Sequence, residues 1–117
     1  MYFIQDSQES YNCFKKEVMS EIFEKSTDYD ADSVLFIKKF LNSDFIESMK
    51  KSDGSRYWLM APSYTVGSFF DENKIPVGRK LRKDQMYWLG GSYFDDIMGN
   101  KDFIEPNKKL ENYTLYN

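Results

Sequence analysis

Tyr11, Phe14, Val18 and Ile22 recur at three- and four-residue intervals, the spacing that aligns side chains along one face of an α-helix. Met19 and Phe23 widen that stripe, and Lys16, Glu17, Ser20 and Glu24 fall opposite it, which predicts a helix over residues 7–25 with one buried face. Asp6 with Glu9 three residues later supplies its start signal. The run Asp28-Tyr29-Asp30-Ala31-Asp32-Ser33 then offers capping side chains and negative charge to the positive end of a second helix, Val34 to Leu41. Asn42-Ser43-Asp44 interrupts or restarts it, and Phe45, Ile46 and Met49 carry helical structure to about Lys51. Lys51-Ser52-Asp53-Gly54-Ser55 is the clearest break in the chain.

Beyond it the pattern changes to aromatic and β-branched segments punctuated by Gly and Pro, which predicts strands. They fall at Tyr57 to Met60, Tyr64 to Phe70, Ile75 to Val77 and Gln85 to Leu89, with Asp71-Glu72-Asn73 as a hairpin turn and Pro62 and Pro76 at sheet edges. Ser92 with Asp95 caps a short helix ending before Gly99, and the alternation around Tyr113 and Leu115 reads as a closing strand. Helices followed by strands predict one α+β domain, in which the helical part, about 6–51, packs on one face of a small, mainly antiparallel sheet formed by residues 56–117.

Composition supports a folded domain: 41% of the 117 residues are hydrophobic and 18% aromatic, and a chain of this size buries roughly two thirds of its unfolded surface. A net charge of −3 argues against whole-surface attraction to nucleic acid or an anionic membrane. Cys13 has no partner for an internal disulfide, so an intracellular, cytoplasmic setting is expected. No run of about 18 apolar residues is present, and Met1 to Gln5 lacks the basic start of a signal peptide.

There is no histidine, which removes Ser-His-Asp and Cys-His nucleophile systems and histidine-containing zinc sites. Cys13 falls on the polar side of the first helix beside Glu9 and Glu17, whose charge disfavours a thiolate. Asp28, Asp30 and Asp32 have the spacing that opens a calcium loop, but Ser33 and Lys39 occupy the positions that need Gly and a bidentate Glu. Glu72-Asn73-Lys74 with Asp53 upstream only loosely matches the acidic sites of metal-dependent nucleases, Gly90-Gly91 stands alone, and Gly78-Arg79-Lys80 lacks phosphate-loop spacing. No catalytic residue, metal ligand or cofactor is assigned, although chemistry based on Asp and Glu stays open as a lesser alternative.

Tyr57-Trp58-Leu59 before Ser63-Tyr64 is echoed thirty positions on by Tyr87-Trp88-Leu89 before Ser92-Tyr93. Two segments fall short of a repeat array and serve to mark two strands.

Two surfaces remain as partner-binding candidates. From Lys74 to Lys83 there are five cations, Lys74, Arg79, Lys80, Arg82 and Lys83, and no acid, with Tyr87 and Trp88 close enough to stack on bases. A solvated edge protected by its charges is the structural alternative. In the second helix Val34, Ile37 and Leu41 share one face and Phe36 and Phe40 the other; such a helix either runs through the domain centre or has one face covered by a partner, including a second copy of the chain. The expected function is that of a non-enzymatic binding protein, an inhibitor or regulator of a protein partner. Immunity proteins and phage-encoded anti-defence inhibitors share this general size and profile, an analogy of class without a shared motif. A nucleic-acid-binding regulator using residues 74–83 is the alternative.

Overall fold

Capping side chains set the starts of three helices, whereas the first begins before Asp6, its expected start signal. The computed structural model describes the backbone of residues 2–114 and the side chains of residues 9–113. Helix α1 (Tyr2–Lys25) runs into a 3-10 turn (Ser26–Asp28), followed by α2 (Ser33–Leu41), α3 (Asp44–Lys51), the single-turn α4 (Arg56–Leu59), α5 (Pro62–Glu72), α6 (Lys83–Met98) and α7 (Pro106–Thr114). Asp32 caps α2, its Oδ1 accepting from the Leu35 N–H at 3.0 Å, and Ser43 and Ser55 start α3 and α4 in the same way.

No strand occurs among the described residues, so the expected α+β architecture is wrong for the C-terminal half. Tyr57 to Met60 forms α4 and its C-cap. Tyr64 to Phe70 lies within α5, where Thr65, Val66 and Phe69 are buried at helical spacing, and Pro62 occupies the first turn, where its missing N–H costs nothing. Asp71 and Glu72 end that helix instead of forming a hairpin turn. The segment Gln85 to Leu89 and the short helix after Ser92 are one continuous element, α6, whose buried Met86, Leu89, Tyr93 and Phe94 repeat every three to four residues. Tyr113 lies on α7, and Leu115 lies outside the described residues.

Ile75 to Val77 is an extended loop that pairs with a helix end. The Asp32 N–H donates to the Pro76 carbonyl at 2.8 Å and the Ser33 N–H to the Arg79 carbonyl at 3.0 Å. In return, Asp32 Oδ2 accepts from the Arg79 N–H at 3.2 Å and Ser33 Oγ from the Leu81 N–H at 2.9 Å. The α2 N-terminus and the loop thereby satisfy each other's backbone groups. Gly78 permits the contact, since a Cβ there would stand 2.2 Å from Asp32 Oδ2.

The core is rich in phenylalanine. Phe23 from α1, Phe36 and Phe40 from α2, Phe45 from α3 and Phe69 from α5 are all buried. Edge-to-face contacts join Phe36 and Phe40 to Phe69, each at 5.4 Å between ring centroids, and Phe23 to Phe36 at 5.7 Å, the geometry that ring quadrupoles favour. Beside this cluster, the most extensive helix contact is between α1 and α6. Gly90 and Gly91 make it close: a Cβ on Gly90 would lie 2.5 Å from the Met19 carbonyl oxygen and 2.7 Å from Ser20 Cα. The buried stripe of α1 is consequently rotated from the one predicted. Phe14 is 44% exposed, whereas Ser20, expected on the polar face, is buried against α6.

Lysines cross-link the helices. Lys15 is buried on α1, its Nζ 2.7 Å from Asp53 Oδ1 and over the Tyr11 and Trp58 rings at 5.2 and 5.5 Å. Lys109 fixes α7 to α6 by donating to Ser92 Oγ at 2.7 Å and lying 2.6 Å from Asp96 Oδ2.

Candidate binding groove

Where α1, α6 and α7 meet, glycine leaves a groove of about 610 Å³, within the roughly 300–1,000 Å³ of small-molecule sites. Helix α1 contributes Lys16, Ser20 and Glu24, four residues apart and so on one stripe. Helix α6 contributes Asp84, Tyr87, Trp88, Gly91, Ser92 and Asp95, and Tyr113 closes the site from α7. Gly91 adds no side chain to α6 at the level of Ser20.

Its aromatic residues are tied down by carboxylates. Tyr113 packs on Trp88 with ring centroids 5.2 Å apart and donates its hydroxyl to Asp84 Oδ2 at 2.8 Å. Arg82 grips the same carboxylate from the other side, Nε and a terminal nitrogen each 3.0 Å from an oxygen. The Arg82 hydrogen bonds, aided by the one from Tyr113, hold the Asp84 carboxyl well below the usual carboxylate range. Tyr87 donates its hydroxyl to the Glu17 carboxylate. That bond, then burial, then the charges of Glu17, Glu21 and Glu24 push the Tyr87 phenol up to about 12.

A pH dependence follows. Because the folded-state value lies above the ordinary 10.0, this interaction stabilises the fold fully below pH 10 and is lost as pH rises through about 12. Titrated by phenolate absorbance against a Tyr87→Phe control, Tyr87 is expected to ionise near pH 12, and Glu17→Gln is expected to lower that midpoint toward 10. An unchanged midpoint in Glu17→Gln would remove the carboxylate as the cause.

The predicted site residues separate into three places. Phe36 and Phe40 are 1% and 0% exposed, interior residues that present no surface on α2; central burial, one of the two alternatives for this helix, is what occurs. Tyr87 and Trp88 line the groove. Arg79, Lys80, Arg82 and Lys83 are exposed on the loop and the start of α6, but each is engaged. Besides the Arg82 pair with Asp84, Lys83 lies 3.3 Å from Asp28 Oδ1, Lys80 donates to the Thr27 carbonyl at 2.9 Å, and Arg79 reaches Asn107 Oδ1 at 3.5 Å. The two echoed segments also differ: Trp58 is buried, donating to the Met49 carbonyl at 2.9 Å, whereas Trp88 is half-buried in the groove.

The acids of the sequence motifs are dispersed. Asp28 pairs with Lys83, Asp32 caps α2, and Asp53 pairs with Lys15 away from Glu72 at the end of α5. Among the described residues no group of three or more Cys, Asp or Glu side chains is placed to hold a metal ion. Ser92, expected only as a helix cap, and Lys109, which no sequence signal marks, meet in the structure, and Ser92 shares a helix face with Asp96 at i,i+4. Lys109 donates to Ser92 Oγ, and its ammonium also lies 2.6 Å from Asp96 Oδ2 and 4.8 Å from the centre of the Tyr93 ring.

No family model matches the chain, and no curated protein or solved structure similar to it was found. No helix among the described residues is long and apolar enough to cross a membrane.

Proposed function

We propose that the protein is a non-enzymatic binding protein, an inhibitor or regulator that occupies a protein partner through the α1/α6/α7 groove. The observation that carries this reading is the aromatic set Tyr87, Trp88 and Tyr113, in which Tyr87 and Tyr113 are hydrogen-bonded to carboxylates and Trp88 packs against Tyr113. Rings held before binding lose little entropy on association, and Tyr and Trp are the residues in which interface energy concentrates. The neutralisation of Arg82 by Asp84 and of Lys83 by Asp28 favours a protein partner over nucleic acid, whose binding rests on cations free to replace counterions.

Trp88→Ala is expected to weaken a partner isolated by affinity capture by more than tenfold, the effect of losing a hot-spot residue worth about 2 kcal/mol. Trp88→Phe, which keeps a ring against Tyr113, is expected to retain most of the affinity. If Trp88→Ala binds normally while the double change of Arg79 and Arg82 to Glu abolishes binding and the association falls steeply with salt, the groove reading fails and the basic segment replaces it.

A further inference from the structure

Charge in the groove is unevenly settled. Asp84 is paired with Arg82, and Asp95 Oδ2 with Lys16 at 2.9 Å. The half-buried carboxylate of Glu24 has no hydrogen bond or ion pair among the described residues. Glu17 and Glu21 lie on the same helix, and the upward displacement of the Tyr87 phenol registers the negative field of all three. Across from α1 stands Trp88, the aromatic type that attracts cations most strongly, extended by the Tyr113 ring.

We infer that the groove recognises an arginine side chain presented by a basic segment of the protein partner, its guanidinium laid on the Trp88 and Tyr113 rings and its charge met by Glu24. This rests on the groove being the partner-binding surface. A neutral apolar occupant would desolvate Glu24 without a counter-charge, and an anionic one would meet repulsion. Arginine suits the site better than lysine because its planar group stacks on rings while its fork of donors reaches a carboxylate. The groove volume of about 610 Å³ leaves room for residues flanking the arginine.

The test uses short synthetic peptides containing two arginines, and the same peptides with citrulline, nearly isosteric and uncharged, in their place. They are titrated into the isotope-labelled full chain while the indole N–H resonances of Trp58 and Trp88 are followed, with Trp88→Phe giving the assignment. The arginine peptides are expected to shift Trp88 and leave Trp58 in place, and citrulline to weaken binding by about tenfold or more. Glu24→Gln is expected to weaken the arginine peptides by about fivefold or more and to leave the citrulline series unchanged. An unchanged thermal midpoint in Glu24→Gln shows that the loss is not one of folding. Equal binding of citrulline and arginine peptides, or no response of Trp88 to either, overturns the inference. Both outcomes are distinct from failure of the groove reading, which shows as unimpaired binding of the captured partner to Trp88→Ala.

Discussion

Truncation of Phe36 or Phe40 to alanine is expected to destabilise the protein by about 3–5 kcal/mol, the range for removing a buried aromatic ring. Phe40 meets Phe23, Phe36, Phe45 and Phe69 at ring separations of 6.1, 5.6, 6.5 and 5.4 Å. Phe36 meets Phe23, Phe40, Phe69 and Phe70. Neighbours drawn from four helices around Phe40 and three around Phe36 cannot all collapse into the space left by one ring, so a cavity persists. Set against a typical folding stability of about 5–15 kcal/mol, either change puts a large part of the molecule at risk of unfolding at physiological temperature. Urea denaturation checks it. If both variants kept wild-type midpoints while losing self-association in analytical ultracentrifugation, these phenylalanines would belong to an interface, contrary to their burial.

Gly90→Ala is the second large effect, and its sign runs against helix propensity. Alanine is favoured over glycine within a helix by about 1 kcal/mol, yet the added Cβ would stand 2.5, 2.7 and 2.9 Å from three backbone atoms of Met19 and Ser20. Backbone cannot step aside without separating α1 from α6. A net loss of about 1–3 kcal/mol is expected, seen as a lower urea midpoint. Gly91→Ala is the internal comparison. Its Cβ would meet Lys16 Cε at 3.0 Å and Ser20 Oγ at 3.1 Å, ends of side chains that can turn away, so no comparable loss is expected. Equal destabilisation by the two would show that the close approach at Gly90 is not what holds the helices together.

The N-terminal half was legible because its signals are local and agree with one another. Asp32, within the run expected to cap the second helix, and Ser43, within the segment expected to interrupt or restart it, cap α2 and α3, and Phe45, Ile46 and Met49 are buried on α3. In the C-terminal half two signals conflict, residue type pointing to strands and spacing to helices. Tyr, Trp, Val and Phe favour strands as types. Their positions, with Val66 and Phe69 on α5 and Met86, Leu89, Tyr93 and Phe94 on α6, repeat with the helical period, and burial of a continuous face outweighs the small propensity penalty. Gly90-Gly91 and Pro62 looked like punctuation, but the pair lies in the middle of α6 where α1 comes closest, and the proline opens α5. Tyr87 and Trp88 stand out in the sequence as candidate partner-binding rings, but beside the basic segment rather than beside their actual companions. Their neighbours Lys16, Ser20 and Glu24 come from a helix some seventy positions earlier, and no local pattern records that pairing.

That pairing governs how the protein can assemble. Most small helical proteins fold fast because each helix packs on the next in sequence. Here the principal contact joins the first helix to the sixth, with Tyr87 and Glu17 separated by 70 positions, so the loop entropy of most of the chain is spent before that contact forms. During synthesis the apolar face of α1, with Met19, Ile22 and Phe23, has no Gly90 to close upon until more than half of the remaining chain has emerged. For that interval Met19, Ile22 and Phe23 lack the α6 side of their packing, leaving the kind of apolar surface that chaperones bind.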